Sequence, residues 1–267
     1  MIGRAIGLGV SAARDALARR LIGLGVSPNS LTLAGMVLTG ASGVCYAIGT
    51  DRRFGWSLNP ASEANAYLLL AGLLLLASSA CDMLDGAVAR LSSSGSRFGA
   101  FLDSTLDRYS DFAVYAGIAV HYAWTRPANA TFVLLCMLAF FNAFMISYAR
   151  ARAEDIIESC SVGYWQRGER STAILIATFA YNIPALVVQQ ALLPMLTVLR
   201  RILHAKAVIQ GGNPITDPRK GGLLLAIRLW RWPRMTIPYD IVTGINIAWL
   251  IFARIRPEDL LRGMLSG

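Results

Sequence analysis

The chain has 267 residues, of which 55% are apolar and only 15% carry a full charge. Soluble domains carry roughly 25% charged residues, so this composition excludes an ordinary soluble domain and points to an all-α integral membrane protein. The net charge of +9 comes without basic clusters interleaved with aromatics, which argues against a nucleic-acid partner and for anionic lipid headgroups. Cys45, Cys81, Cys136 and Cys160 form no CxxC pair and read as buried thiols, and His121 and His204 are too isolated to frame a zinc site.

The N-terminal segment, residues 1–28, places Ile6, Val10, Ala13, Leu17, Leu21 and Leu24 at spacings of three and four, with arginines on other faces. This predicts an amphipathic helix lying in the membrane interface. Ser27-Pro28-Asn29-Ser30 then supplies a proline and an N-cap before the next apolar run. Uncharged runs predict about six transmembrane helices, at roughly 31–50, 65–90, 99–124, 128–149, 171–198 and 237–255.

With the N-terminus in the cytoplasm, arginines around 90–108, in 150–170 and after 253 fall on the cytoplasmic side, as the positive-inside rule requires. The basic segment 200–236 breaks the pattern. Arg200, Arg201, Lys206, Arg219, Lys220, Arg228, Arg231 and Arg234 would all lie outside. Either they hold lipid phosphates on the far side, or the fifth span, which contains Pro184 and Pro194, does not cross as drawn. Residues 223–232 look like an amphipathic insertion at the interface. The whole chain, 1–267, reads as one membrane domain.

Two acidic stripes stand out. Asp82 and Asp85 are three apart on one helical face, continued by Gly86 and Ala89, while Gly99, Asp103, Asp107 and Asp111 recur every four residues. A short Ser/Gly connection makes both stripes start from the same side of the membrane. Asp82 and Asp107 then lie about 12 Å inward, and Asp85 and Asp103 about 6–8 Å, so direct antiparallel packing would gather four carboxylates. An aspartate at the centre of a spanning helix costs about 2.5–3.5 kcal/mol, and five facing lipid would cost about 12–17 kcal/mol. Arg90 and Arg108 can neutralise two of them at most. All-oxygen donors without nearby His or Cys favour a hard divalent ion, Mg²⁺ or Mn²⁺. Asp111 could equally pair with an arginine.

The run Asp82-Met-Leu-Asp85-Gly86-Ala-Val-Ala89-Arg90, followed by Gly99-Ala-Phe-Leu-Asp103-Ser-Thr-Leu-Asp107, resembles the signature of the CDP-alcohol phosphatidyltransferases, and residues 20–200 look like that family as a whole. The resemblance implies transfer of a phosphatidyl group from a CDP-linked lipid such as CDP-diacylglycerol to an alcohol, with release of CMP at the cytoplasmic face of a cell membrane. It implies two divalent ions held by Asp82, Asp85 and Asp103, with Asp107 sharing a metal and accepting the alcohol proton. Gly86, Ala89 and Gly99 would admit the nucleotide close to the backbone, beside Asp82, and Arg90 would complement diphosphate charge. A homodimer is implied too. Arg150, Arg152 and Arg170 are similar to the acceptor-holding arginines of the inositol-phosphate branch, although a solvated basic rim explains them as well. Glycerol phosphate and serine stay open as acceptors. A prenyltransferase would not require the Gly86, Ala89, Arg90 and Gly99 spacing, and an ion-coupled transporter should show an internal repeat, which the single Asp motif does not.

Overall fold

In the computed structural model, residues 2–49, 66–125, 127–212, 214–217, 222–234 and 236–257 are described. Arg219, Lys220 and the side chains of Ile6 and Val10 lie outside them. All regular structure among the described residues is helical: α1 (Ile2–Gly23), α2 (Pro28–Gly49), α3 (Ala66–Leu91), α4 (Arg97–Trp124), α5 (Ala130–Glu154), α6 (Arg167–Phe179), α7 (Ile183–Leu192), α8 (Pro194–Ile209), α9 (Gly222–Leu229) and α10 (Ile237–Phe252). Four stretches are long and apolar enough to cross a membrane, namely α2, α3, α5 and the joined α7 and α8. Large side chains such as Val37, Leu73, Leu134 and Phe141 stand exposed on these helices, as expected where lipid rather than water is the neighbour. This is an integral membrane protein.

Local chemistry sets the boundaries. Ser27 Oγ accepts from Ser30 N at 3.2 Å and Pro28 occupies the first helical position of α2. Ser96 caps α4 by accepting from Gly99 N at 2.9 Å, and Asn129 caps α5 by accepting from Phe132 N at 3.1 Å.

The helix α1 meets α3 near its acidic end, burying Ala18 against Leu84, Ala87 and Val88. Leu17 and Leu24, from the expected apolar stripe, remain exposed on the other side. The wedge at the centre is α2, which packs against both α3 and α4. At its crossing with α4, a Cβ on Gly43 would overlap the Ala113 carbonyl and a Cβ on Gly117 would overlap the Gly43 carbonyl. Only glycine permits this backbone approach.

The sequence-based span 171–198 is corrected by the structure. After α6 the chain turns at Ala180, Tyr181 and Asn182, with Tyr181 at φ 54, and α7 with α8 runs back towards the acidic end. Pro184 sits in the first turn of α7, where its missing N–H costs nothing, and Asn182 Nδ2 ties the turn to α10 by donating to the carbonyls of Leu250 and Ala253, each at 2.9 Å. Pro194 does not stop the chain: Leu193 keeps helical angles and α8 follows directly.

This reversal decides the side of the basic segment. Arg200, Arg201, Lys206, Arg228, Arg231 and Arg234 lie at the same end of the bundle as the aspartates, through contacts such as Trp165 N to Thr197 Oγ1 at 3.2 Å and Arg234 to Glu169 at 2.9 Å. Within it, α9 buries Leu225 and Leu229 against Ala153, Ile157, Cys160 and Val162. The helix α10 then runs to the opposite end, where Asn129 Nδ2 donates to the Pro257 carbonyl at 2.8 Å. Arg254 and Arg256 therefore lie away from the acidic end, contrary to the expectation for residues after 253.

Candidate active site

The acidic residues come from α3 and α4, yet these helices are not mutually packed as the sequence reading expected. Each packs on α2, and α6 docks against α3. The result is a splayed pair with α6 entering between the stripes.

From the N-terminus of α6, Arg167 bridges them. Its Nη2 lies 2.7 Å from Asp82 Oδ2 and 2.5 Å from Asp107 Oδ1. Asp85 is fixed separately, with Thr32 Oγ1 of α2 at 2.8 Å from its Oδ2. Asp103 is close enough to Asp82, Asp85 and Asp107 to repel each of them electrostatically. One guanidinium thus bridges two of the four carboxylates, with Asp103 beside them. Among the described residues no three acidic, His or Cys groups converge tightly enough to hold an ion as the side chains stand. The donor chemistry nevertheless fits one: the oxygens belong to two helices, and a cation already stands between them in the form of Arg167.

The glycines of the motif lie close to polar side chains on this side. A Cβ on Gly86 would meet only the flexible tip of Arg90, at 3.3 Å, while one on Gly99 would meet Asn29 Oδ1 and Ser96 Oγ at 3.2 Å. Ala89 is half-buried and Arg90 exposed. Gly35 brings α2 against α3 where a side chain would crowd Asp82 Oδ1, at 3.1 Å.

A second charged layer lies one turn along α4. Asp111 Oδ2 accepts from Arg170 Nη2 at 3.1 Å and is 3.6 Å from Arg108 Nη1, so this aspartate is arginine-paired. Arg170 is 2% exposed, and its Nε and Nη1 are buried with no hydrogen-bond acceptor; Arg108 Nε is in the same condition. The other arginines singled out in the sequence are not drawn in. Arg150 pairs with Glu154 at 2.9 Å. Arg152 pairs with Asp155 at 3.3 Å and is 65% exposed, because the last turn of α5 turns it outward.

The sequence model of the CDP-alcohol phosphatidyltransferases matches residues 25–210. This chain belongs to the CDP-alcohol phosphatidyltransferase family. The transferase is 31% identical over 201 residues to the archaetidylinositol phosphate synthase of Pyrococcus horikoshii, covering 74% of this chain and 93% of that one. It is 34% identical over 161 residues to the phosphatidylinositol phosphate synthase of Mycobacteroides abscessus, covering 60% of this chain and 64% of that one. Among solved structures, the Mycobacterium tuberculosis phosphatidylinositol phosphate synthase with CDP-DAG bound superposes with a TM-score of 0.60 at 26% identity, over 72% of this chain and 92% of that one. The same enzyme in complex with manganese and citrate gives 0.59 at 28% identity, over 72% and 88%. The matched family region ends near the close of α8, and α9 and α10 lie beyond it.

Arg167 and Thr32 are the residues of this site that sequence reasoning missed. Arg167 was visible only as one of several arginines before a helix, and Thr32 only as a hydroxyl one turn after Pro28. Each meets its partner across more than fifty residues of chain.

Proposed function

We propose that this transferase moves the phosphatidyl group of CDP-diacylglycerol to inositol phosphate and releases CMP. The observation that carries the acceptor is Arg170: a buried guanidinium beside the carboxylate cluster, with two N–H groups lacking an acceptor, is what a phosphate oxyanion would complete. The relatives named as inositol phosphate synthases support the same reading.

Asp82, Asp85, Asp103 and Asp107 would hold two divalent ions, Mg²⁺ or Mn²⁺, whose chemistry is to offset diphosphate charge and stabilise departing CMP. Arg167 would yield the carboxylates and keep its charge beside the diphosphate. Asp107, the more buried carboxylate of the bridged pair, accepts the acceptor hydroxyl proton as the oxygen attacks the phosphorus bearing the diacylglycerol. One O–P bond forms, the O–P bond to CMP breaks, and CMP leaves with the electron pair. Gly86, Ala89 and Gly99 keep the nucleotide's approach to the backbone clear, and Arg90 closes over the diphosphate from the rim.

The acidic end is assigned to the cytoplasm because the arginines of α3 to α9 gather there, as the positive-inside rule requires. In that orientation α1 lies in the cytoplasmic interface of the cell membrane. A homodimer belongs to the same proposal and is checked by cross-linking in membranes.

The deciding experiment incubates the purified protein and CDP-diacylglycerol with inositol phosphate, glycerol phosphate or serine and measures CMP. Release with inositol phosphate alone is expected. Release with glycerol phosphate or serine in its place would replace the acceptor while leaving the donor chemistry standing.

A further inference from the structure

Behind α6, on the side away from the aspartates, lie two cavities that the family region does not build alone. Arg167 reaches the acidic cluster, whereas Glu169, about 200° further round the helix, faces the segment 231–239 and α10. The first cavity, about 550 Å³, is lined by Tyr164, Glu169, Arg231, Trp232, Arg234 and Tyr239 among others. The second, about 380 Å³, runs between α6 and α10 along Ala173, Ile176, Asn246, Ile247 and Leu250. Tyr164, Glu169, Arg234 and Tyr239 line both, so the two adjoin there, the first a polar mouth and the second a largely apolar groove.

At the junction sits a carboxylate with an unmet demand. The Glu169 side chain is 7% exposed. Its Oε1 accepts from Arg234 Nη2 at 2.9 Å, Arg234 Nε at 3.2 Å and Tyr239 OH at 3.2 Å, while Oε2 is buried with no donor. A buried carboxylate oxygen without a donor is costly, and a hydroxyl in the mouth would satisfy it once the Glu169 side chain turns its Oε2 outward. The aromatic rings of Trp232, Tyr164 and Tyr239 suit the C–H faces of a hydroxylated group; of the two arginines at the mouth, Arg234 is paired with Glu169 and Arg231 stands near Asp217 of the same cavity.

We propose that α6 and α10 form a second lipid site, separate from the carboxylate cluster, which takes a phospholipid with a hydroxyl-bearing headgroup. The headgroup donates to Glu169 Oε2 in the mouth, and one chain lies in the groove between Ala173, Ile176, Ile247 and Leu250. A headgroup without a hydroxyl donor leaves Oε2 unpaired and binds less well. The site rests on α10, which lies beyond the matched family region, and not on the identity of the acceptor.

The test is native mass spectrometry of the full-length protein in detergent with dioctanoyl phosphatidylglycerol or dioctanoyl phosphatidylmethanol, which share charge and chains but differ in hydroxyls. One hydrogen bond to a charged group corresponds to a preference of about ten-fold for phosphatidylglycerol, falling to about two-fold in Glu169→Gln. Ile247→Trp, which fills the groove, should weaken both lipids about ten-fold with CMP release unchanged. Equal binding of the two lipids to the unaltered protein would overturn the headgroup assignment. Unchanged binding in Ile247→Trp, or displacement of phosphatidylglycerol by equimolar CDP-diacylglycerol, would overturn the separate site.

Discussion

The α2 to α4 core and the α6 to α10 half solve the same problem by different means. In the first, uninterrupted helices meet by close approach, with Gly43 and Gly117 putting α2 and α4 in backbone contact and Gly35 seating α2 on α3, and small hydroxyls add to it: Ser42 donates to the Ala71 carbonyl and Ser78 to that of Gly35. In the second, the chain is broken between α6 and α7, and the pieces are tied to their neighbours by donors to backbone carbonyls inside the protein. Buried polar side chains supply them. Arg201 donates to the carbonyls of Ile146 and Val162, Asn142 to that of Ala191, Asn182 to those of Leu250 and Ala253, and Trp249 to that of Ala185. The contrast teaches that the chemistry is mounted on a stiff, tightly crossed frame, while the wall facing it is a polar lattice that can be altered piecemeal.

The sharpest challenge to that contrast is Gly117→Leu, which drives a side chain into the Gly43 carbonyl. Loss of folded protein in detergent, read by size exclusion, is expected, and a stable variant would show that the crossing is not close. Asp107→Asn should leave the frame intact and lower CMP formation by about 10²–10⁴-fold, with CDP-diacylglycerol binding largely kept. In the polar half, Arg201→Met removes a buried guanidinium that donates to the Ile146 and Val162 carbonyls and to Gln166 Oε1, and should cost about 2–4 kcal/mol of stability, measured by thermal unfolding, with the carboxylate site still able to bind Mn²⁺. Arg170→Ala should raise the KM for inositol phosphate by about 30-fold, the equivalent of about 2 kcal/mol, without a matching loss for CDP-diacylglycerol. Equal damage to both substrates would remove Arg170 from acceptor binding. The smallest effect belongs to Arg152→Ala: its side chain makes an exposed pair with Asp155, and steady-state kinetics should change by less than about two-fold.

Much of the acidic site was legible because helical periodicity is a local property. The three- and four-residue spacings of Asp82, Asp85, Asp103, Asp107 and Asp111 fixed their faces, and the short connection between the helices fixed a common end. The polar wall was harder to read. Ala180-Tyr181-Asn182 contains no glycine, charge or proline, so the run from 171 to 198 looked like a single span, and the hidden turn sent the basic segment 200–236 to the wrong side on paper. Arg152 and Arg170 looked alike as arginines flanking helices, yet one is exposed and the other buried against Asp111.

From its sequence alone this chain was bound to be helical and membrane-embedded, with its carboxylates on two stripes, since hydropathy and the helical repeat act over a few residues at a time. Tertiary structure alone decided that α2 would hold α3 and α4 apart, that Arg167 would stand between Asp82 and Asp107, and that the turn at Asn182 would bring the arginines of α8 and α9 to the acidic end. Those outcomes depend on which surfaces meet across tens of residues, and contact energies between distant segments leave no periodic trace in the order of the amino acids.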